Sequence, residues 1–178
     1  MPELDLPVAR SAPRSRRKNA RPQELLEAAL ALFVEKGFAA TRAEEVAQRA
    51  GVSKGTLYLY YPSKQELLKA VIAHYLSARI AATAQEVQHF EGTMAQLLRQ
   101  MLVPWWQQVY ASQTSGTFKL IMSEVRNFPD IAEFYVREVI EPGEQLIGRI
   151  VQRGVDSGEF RAVDIAYTVH SLLLPMVM

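Results

Sequence analysis

The stretch GVSKGTLYLYYPSKQELL, residues 51–68, decides the fold. It predicts a glycine turn, a short helix over about residues 54–61, a break at Pro62 and the start of a longer helix. Ser53 and Ser63 precede the two helices, and serine is among the best residues for capping a helix N-terminus. The short helix carries more aromatic and hydroxyl surface than so small a segment can bury, so part of it is expected to contact a partner.

Two further helices are expected before this stretch. Apolar residues recur at i, i+3, i+4 and i+7 along the first helix, which should begin at Pro22 and stop at Gly37. Thr41 and Glu44 match a T-x-x-E capping box, so the second helix should begin there and end before Gly51. Two short helices joined by the turn AGVS form a helix-turn-helix candidate.

The third helix is the part of this candidate that would meet DNA. It is about 10 Å long at a rise of 1.5 Å per residue, which is short enough to lie across a major groove. Leu57 and Tyr61 are expected to face the first helix. The outward positions are Lys54, Thr56, Leu59 and Tyr60.

Composition and charge narrow the class of protein. The 178 residues include no cysteine, which fits a reducing compartment and excludes thiol chemistry. No secretory signal and no apolar run of about 20 residues is present, so we expect a cytoplasmic protein with no membrane partner. Residues 1–64 carry 11 basic and 7 acidic side chains, whereas residues 65–178 carry 9 and 12. A basic front on an acidic body favours a polyanionic partner for the front.

Residues 1–20 are expected to be a disordered basic arm. Prolines interrupt this segment, and a cluster of basic side chains follows without an acidic one. Two readings stay open, a solvated tail and an arm that lies along DNA. The arm residues that would contact DNA are Arg14, Arg16, Arg17 and Lys18.

The segment TRAEEVAQRAGVSKGTLYLYYPSKQELL resembles the DNA-binding segment of the TetR family of bacterial transcription regulators. The resemblance covers about residues 22–71 and includes the pattern VA..AGVS.GTLY.YY.SK..L. It implies an all-α homodimer, in which each subunit has a three-helix DNA-binding head and a helical body that binds a small molecule and dimerises. The expected divisions are the arm at 1–20, the head at 21–66 and the body at 67–178.

The resemblance also assigns roles to residues of the head. It implies that Thr41 and Lys64 hold phosphates and that Tyr58 and Tyr60 contact the backbone or bases. Leu59 stands where some relatives place a base-reading side chain, and it could either meet a thymine methyl group or be silent. The expected DNA-binding set is Thr41, Ser53, Lys54, Gly55, Thr56, Tyr58, Leu59, Tyr60 and Lys64.

The body is expected to hold an apolar cavity. A helix over residues 93–113 should kink or break at Pro104, and another should open at Pro129 and end near Pro142. Aromatic and methionine side chains around the kink suit the wall of a cavity for a mainly apolar effector, although each of them could equally be plain core. The candidate ligand-binding residues are Met101, Trp105, Trp106, Tyr110, Phe118, Met122 and Phe128.

The last two helices are candidates for a dimer interface. Each carries an apolar stripe, and the alternative for both stripes is packing inside one subunit. The candidate interface residues are Leu146, Ile147, Ile150, Val151, Val169, Leu172, Leu173 and Met176.

No enzymatic site is expected. The three histidines lack partners at repeated ligand spacing, and no nucleophile elbow, phosphate loop or metal motif is present, so neither a cofactor nor a metal is predicted. The sequence therefore predicts a ligand-responsive repressor that binds a palindromic, double-stranded DNA operator as a homodimer. The alternative is a DNA-binding protein of the same fold whose body recruits a protein partner and senses no ligand.

Overall fold

A computed structural model describes residues 14–110, 124 and 127–173, and they form an all-helical chain. For residues 14–20, 106 and 108–110 it describes the backbone alone. The helices are α1 (Arg14–Lys36), α2 (Ala43–Arg49), α3 (Lys54–Tyr60), α4 (Lys64–Ile72), α5 (Ala78–Gln88), α6 (Met94–Tyr110), α7 (Pro129–Tyr135), α8 (Glu141–Asp156) and α9 (Ile165–Leu173). The sequence also predicts a helix over residues 116–127, and this segment lies mostly outside the described residues.

Helix α1 begins earlier than expected. It starts at Arg14 and passes through Pro22, so residues 14–20 are helical and the prediction of a disordered arm is wrong for them. Arginine, lysine and alanine are good helix formers, and no glycine or proline interrupts residues 14–21. Pro22 removes one helical hydrogen bond but does not end the helix.

The head is built around one apolar core. Leu25, Ala29 and Phe33 of α1 are buried against side chains of α2, α3 and α4. Leu57 is the one side chain of α3 that is fully buried, and it fixes the helix to this core. The other core residues of the head are Leu26, Ala28, Leu32, Phe38, Ala43, Val46, Ala47, Leu67, Leu68, Val71 and Ile72.

The turns of the head are mostly those that local sequence predicts. Gly37 and Gly51 take positive φ values of 83° and 65°, a conformation that glycine adopts without steric cost. Ser53 accepts a hydrogen bond from the amide of Thr56, and Ser63 caps α4 in the same way. The capping box of α2 is displaced by one residue from the prediction, because the Arg42 amide donates to the Glu45 carboxylate at 2.9 Å.

Two π-helical turns join the helices of the body. Ala73–Ser77 links α4 to α5, and Val136–Ile140 links α7 to α8, so both helical segments continue without a break. The prediction that a helix ends near Pro142 is therefore wrong. The π turn changes the hydrogen-bond register, and Pro142 then stands in the first turn of α8, where its missing amide is tolerated. Helix α6 likewise continues past Pro104 rather than breaking there.

The apolar stripe of α8 packs inside the protomer. Leu146 and Ile150 contact α5 and α6, whereas Ile147 and Val151 contact Val169 of α9. Each of these side chains is at most 5% exposed, so they cannot form a contact surface for a second subunit. The prediction of a dimer interface is corrected for Leu146, Ile147, Ile150, Val151 and Val169. Leu172 and Leu173 are half-buried against the same cluster, and Met176 lies outside the described residues.

The segment RGVDSGEFR, residues 153–161, holds the turn between α5 and α6 in place. Arg153 donates to the carbonyl of Val87 at 2.7 Å, near the C-terminus of α5. The Glu159 carboxylate accepts from the amides of Met94 and Ala95 at 2.6 and 2.8 Å, at the N-terminus of α6. A cation at a helix C-terminus and an anion at a helix N-terminus both stabilise the helix.

The head and the body share their apolar core. Ile131, Tyr135 and Val139, which follow the start of α7, belong to the same buried cluster as the residues of the head. Burial raises the pKa of Tyr135 to about 12, which agrees with its position in this cluster. The expected boundary at residues 66 and 67 therefore passes through a continuous core. Among the described residues, no helix is long and apolar enough to cross a membrane.

Candidate nucleic-acid interface

Helix α3 presents a defined outer face. Leu57 is fully buried, and Leu59 follows it by two residues, which is about 200° around the helix axis. Leu59 thus points away from the core and is 81% exposed. Tyr58 and Tyr60 flank it at 39% and 36% exposure. The buried contact on one side and the exposed aromatic and aliphatic groups on the other agree with the inward and outward positions expected from the sequence.

Gly55 lies on the outer face one turn before Leu59. A Cβ atom built there would lie 3.8 Å from Ser53 Oγ, which is ordinary van der Waals contact, and would meet no other atom within 4 Å. Its backbone does not take a positive φ. The fold of the head therefore does not require glycine at this position, and the bare backbone leaves room for close approach of an external partner.

Lys54 is held by an ion pair in the free protein. Its ammonium contacts the carboxylate of Glu44 in α2 and lies 5.7 Å from the centre of the Tyr58 ring. The hydrogen bond from Lys54 lowers the pKa of Glu44, and the same bond raises the pKa of Lys54. A phosphate that approaches α3 must compete with Glu44 for this ammonium. From the sequence, Glu44 is expected only to cap α2. Its contact with Lys54 could not be predicted, because the two residues are distant in sequence and no local pattern indicates it.

Thr41 and Lys64 are both bound to backbone carbonyls of the head. Thr41 is 2% exposed, and its hydroxyl lies 2.7 Å from the carbonyl of Gly37, to which it donates. The Lys64 ammonium donates to the carbonyls of Phe38, Ala39 and Thr41 at 2.7, 3.1 and 3.1 Å. In the free protein the Lys64 ammonium is thus already bound within the head, and a phosphate contact by Thr41 or Lys64 would need these bonds to rearrange.

Lys64 lies close to the point where the head meets Phe128 of the body. Its ammonium lies 4.5 Å from the centre of the Phe38 ring, and Phe128 packs edge-on against the same ring at 5.2 Å between centroids. Burial lowers the pKa of Lys64, and the nearby charge of Glu124 opposes this shift. Glu124 is itself buried. Phe128 therefore packs on the head core, and its predicted place in a ligand cavity is corrected.

The remaining predicted residues are only partly described. Arg14, Arg16, Arg17 and Lys18 lie on the first turns of α1, with side chains outside the described set. Ser53 caps α3 by accepting from the Thr56 amide, and the two hydroxyls are 2.8 Å apart. Met101 packs beside α8, and Trp105 is 38% exposed. Trp106 and Tyr110 lie on α6 without described side chains, and Phe118 and Met122 lie outside the described residues.

Replacement of Gly55 by alanine should separate folding from DNA binding. Gly→Ala at a compatible position stabilises a protein by about 0.4–1 kcal/mol through the entropy of the unfolded chain. The added methyl group would occupy the space left for a partner, and overpacking costs about 1–3 kcal/mol, or about 5- to 150-fold in affinity. We expect a raised denaturation midpoint together with weaker DNA binding. Lower stability would show that the fold itself requires this glycine.

An exposed helix fixed by a buried side chain, on a helix-turn-helix head joined to a helical body, defines a DNA-binding transcription regulator. Residues 25–71 match the family model described as bacterial regulatory proteins, tetR family. The head of the chain is therefore a DNA-binding domain of the TetR family. The members to which it is similar are transcription regulators rather than enzymes.

Individual relatives agree with this assignment. The chain is 26% identical over 161 residues to the uncharacterized HTH-type transcriptional regulator YfiR of Bacillus subtilis, covering 89% of this chain and 77% of YfiR. It is 42% identical over 74 residues to RutR of Escherichia coli, covering 42% of this chain and 35% of RutR. The solved structure of FadR from Bacillus subtilis in complex with stearoyl-CoA has a TM-score of 0.69 and 16% identity, covering 86% of this chain and 82% of FadR.

Proposed function

We propose that this protein is a ligand-responsive repressor that binds a palindromic operator as a homodimer in the cytoplasm. The observation that carries the proposal is the outer face of α3, where Leu59 is exposed while Leu57 anchors the helix to the core. A dimer would place two such helices about 34–36 Å apart, so that they enter successive major grooves on one side of the duplex.

The shared core supports a response to ligand. Ile131, Tyr135 and Val139 pack with the head, so a change in the shape of the body alters contacts that position α3. An effector that prefers the body shape with splayed heads would lower operator affinity, by no more than its differential affinity for the two shapes. Coupling of this kind is typically about 1–3 kcal/mol, or about 5- to 150-fold in affinity.

The effector is proposed to be small and mainly apolar. Met101, Trp105, Trp106, Tyr110, Phe118 and Met122 remain the proposed contacts, and α6 carries four of these residues. The similar structure that holds stearoyl-CoA is only 16% identical and therefore supports the fold rather than that ligand. Long-chain fatty acids and their coenzyme A esters are nevertheless suitable first probes.

The proposed function is tested in two stages. Selection from a random duplex library should enrich a palindromic sequence, and sedimentation of the complex should give two chains per duplex or a multiple of two. Titration with apolar probes should then change tryptophan emission and release the duplex over the same concentration range. Enrichment of no sequence would contradict the DNA-binding proposal.

The alternative function makes the opposite prediction for ligands. If the body recruits a protein partner and senses no ligand, operator affinity should stay constant at saturating probe, even where the probe changes the fluorescence. The proposed wall of the ligand cavity lies partly outside the described residues, since it includes Phe118 and Met122. The ligand titration is therefore the measurement that separates ligand sensing from partner recruitment.

Neutralising Glu44 should strengthen DNA binding. In Glu44→Gln, a negative charge leaves the neighbourhood of the phosphates and Lys54 loses its ion-pair partner. We expect affinity to rise about 3- to 10-fold at low salt, and the slope of log affinity against log salt to steepen by about 1 per subunit. The control is Glu86→Gln, which removes the same charge from an exposed position on α5. If Glu44→Gln and Glu86→Gln raise DNA affinity equally, the effect comes from the net charge of the protein and not from the ion pair with Lys54.

A further inference from the structure

Apart from Lys54, the outer face of α3 lacks the side chains that usually read bases by bidentate hydrogen bonds. Besides lysine, the residues that make bidentate contacts to guanine and adenine are arginine, asparagine and glutamine, and aspartate and glutamate accept from cytosine. The helix KGTLYLY contains none of these five residue types. Direct readout by α3 must therefore use a hydroxyl group, the lysine or an apolar contact.

The polar groups of α3 are occupied or placed to the side. The Lys54 ammonium contacts Glu44, and the Thr56 hydroxyl lies 2.8 Å from Ser53 Oγ. Tyr58 and Tyr60 each lie about 100° around the helix from Leu59, so their hydroxyls border the face rather than occupy its centre. Leu59 is left as the most exposed large apolar side chain of the described residues, at 81%.

The surroundings of Leu59 leave room for a base edge. Gly55 precedes it by one turn on the same face, and a Cβ atom at Gly55 would find open space apart from Ser53. A side chain at position 55 would stand between the helix and the floor of the groove. Gly55 has no side chain to hinder approach, and Leu59 projects beside it, so this part of α3 can pack on an apolar group in the major groove. The apolar group that the major groove presents is the C5 methyl group of thymine.

We propose that Leu59 determines operator specificity by packing on the C5 methyl group of a thymine in each half-site. This inference rests on the proposed operator binding and adds the chemistry of recognition to it. Leu59 needs no buried partner in the free protein, since Leu57 alone fixes α3 to the core. The contact would make a T·A pair preferred at one position without any hydrogen bond from α3 to that pair.

The experiment uses the full chain and the tightest duplex recovered from the random library. That duplex is resynthesised with deoxyuridine in place of one thymine at a time, which removes only the methyl group. When the contacted thymine of one half-site is replaced, we expect affinity to fall about 4-fold, the factor associated with burial of one methyl group. Replacement of that thymine in both half-sites should lower affinity about 15-fold. Restoring the methyl group on a different base, as 5-methylcytosine compared with cytosine at that position, should recover a similar factor.

Two protein variants assign the effect to its residue. Leu59→Ala should bind the thymine and deoxyuridine duplexes equally, and its exposure means that the fold should be retained, as circular dichroism would check. Val34→Ala removes an apolar group that is 39% exposed on α1 of the same head, and this variant should keep the full thymine preference.

The outcomes distinguish this inference from the function on which it rests. If the library yields no enriched sequence, the operator proposal itself is wrong. If a sequence is enriched but deoxyuridine is neutral at every thymine, the thymine contact is wrong while operator binding stands. If deoxyuridine weakens wild type and Leu59→Ala equally, the methyl group is read by another residue and the assignment to Leu59 is overturned.

Discussion

Lys64→Met is expected to destabilise the protein by about 2–3 kcal/mol and to leave the salt dependence of DNA binding unchanged. The substitution keeps an apolar stem beside Phe38 but removes the ammonium that donates to three carbonyls. Hydrogen bonds from a charged donor are worth about 1.5–3 kcal/mol each, and partial exposure to water reduces their sum. Denaturant unfolding of the free protein measures the loss.

A matched substitution on the same helix provides the control. Lys69→Met removes a charge whose ion pair with Glu66, at 3.0 Å, is partly exposed, at 20% for Lys69 and 51% for Glu66, so we expect a change of less than about 1 kcal/mol. The salt slope separates two roles for Lys64. A phosphate contact would reduce the slope by about 1, whereas a structural tie would leave it unchanged. A stable Lys64→Met protein with a reduced slope would restore the role that the family resemblance implied.

Gly154→Ala is expected to destabilise the body by about 2–3 kcal/mol. A Cβ atom at Gly154 would lie 2.1 Å from Cδ2 of Phe160, which is far inside van der Waals contact. The Phe160 ring packs against the buried cluster between α5, α6 and α8, so it cannot yield without opening that cluster. Displacement of the ring would also move Glu159, which caps α6. Thermal or denaturant unfolding would measure the change.

Gly148→Ala on the same helix is the control for this prediction. Its added Cβ would lie 3.6 Å from Ile165 and 3.7 Å from Val169, which are ordinary contacts. We expect it to be neutral or slightly stabilising. Combining Gly154→Ala with Phe160→Ala should cost less than the sum of the two single changes, because the alanine removes the clash. Strict additivity of the two would mean that the ring is not the source of the strain.

Features that depend on near neighbours in the chain could be predicted from the sequence. Ser53 and Ser63 cap helices through amides three residues away, and Gly37 and Gly51 turn the chain locally. The inward position of Leu57 and the outward position of Leu59 follow from helical spacing alone. These short-range rules were sufficient to predict the recognition helix and its two faces.

Roles that depend on distant partners could not be predicted. The carbonyls bound by Lys64 lie 23 to 26 positions earlier in the chain, and no local pattern announces them. The sequence predicts the apolar stripe of α8, and the structure buries it. An amphipathic pattern does not indicate whether a helix of the same subunit or of a second subunit covers the stripe. Ile150 is fully buried by other helices of its own chain.

The core that the head shares with Ile131, Tyr135 and Val139 bears on how such regulators could be recombined. A head transplanted alone, cut after Ile72, would leave behind one wall of its own interior and expose apolar side chains to water. Chimaeras that exchange operator specificity between relatives should therefore carry residues 124–140 along with residues 14–72. The segments that must be exchanged together are therefore those that pack in one core, even though they are separated in the sequence.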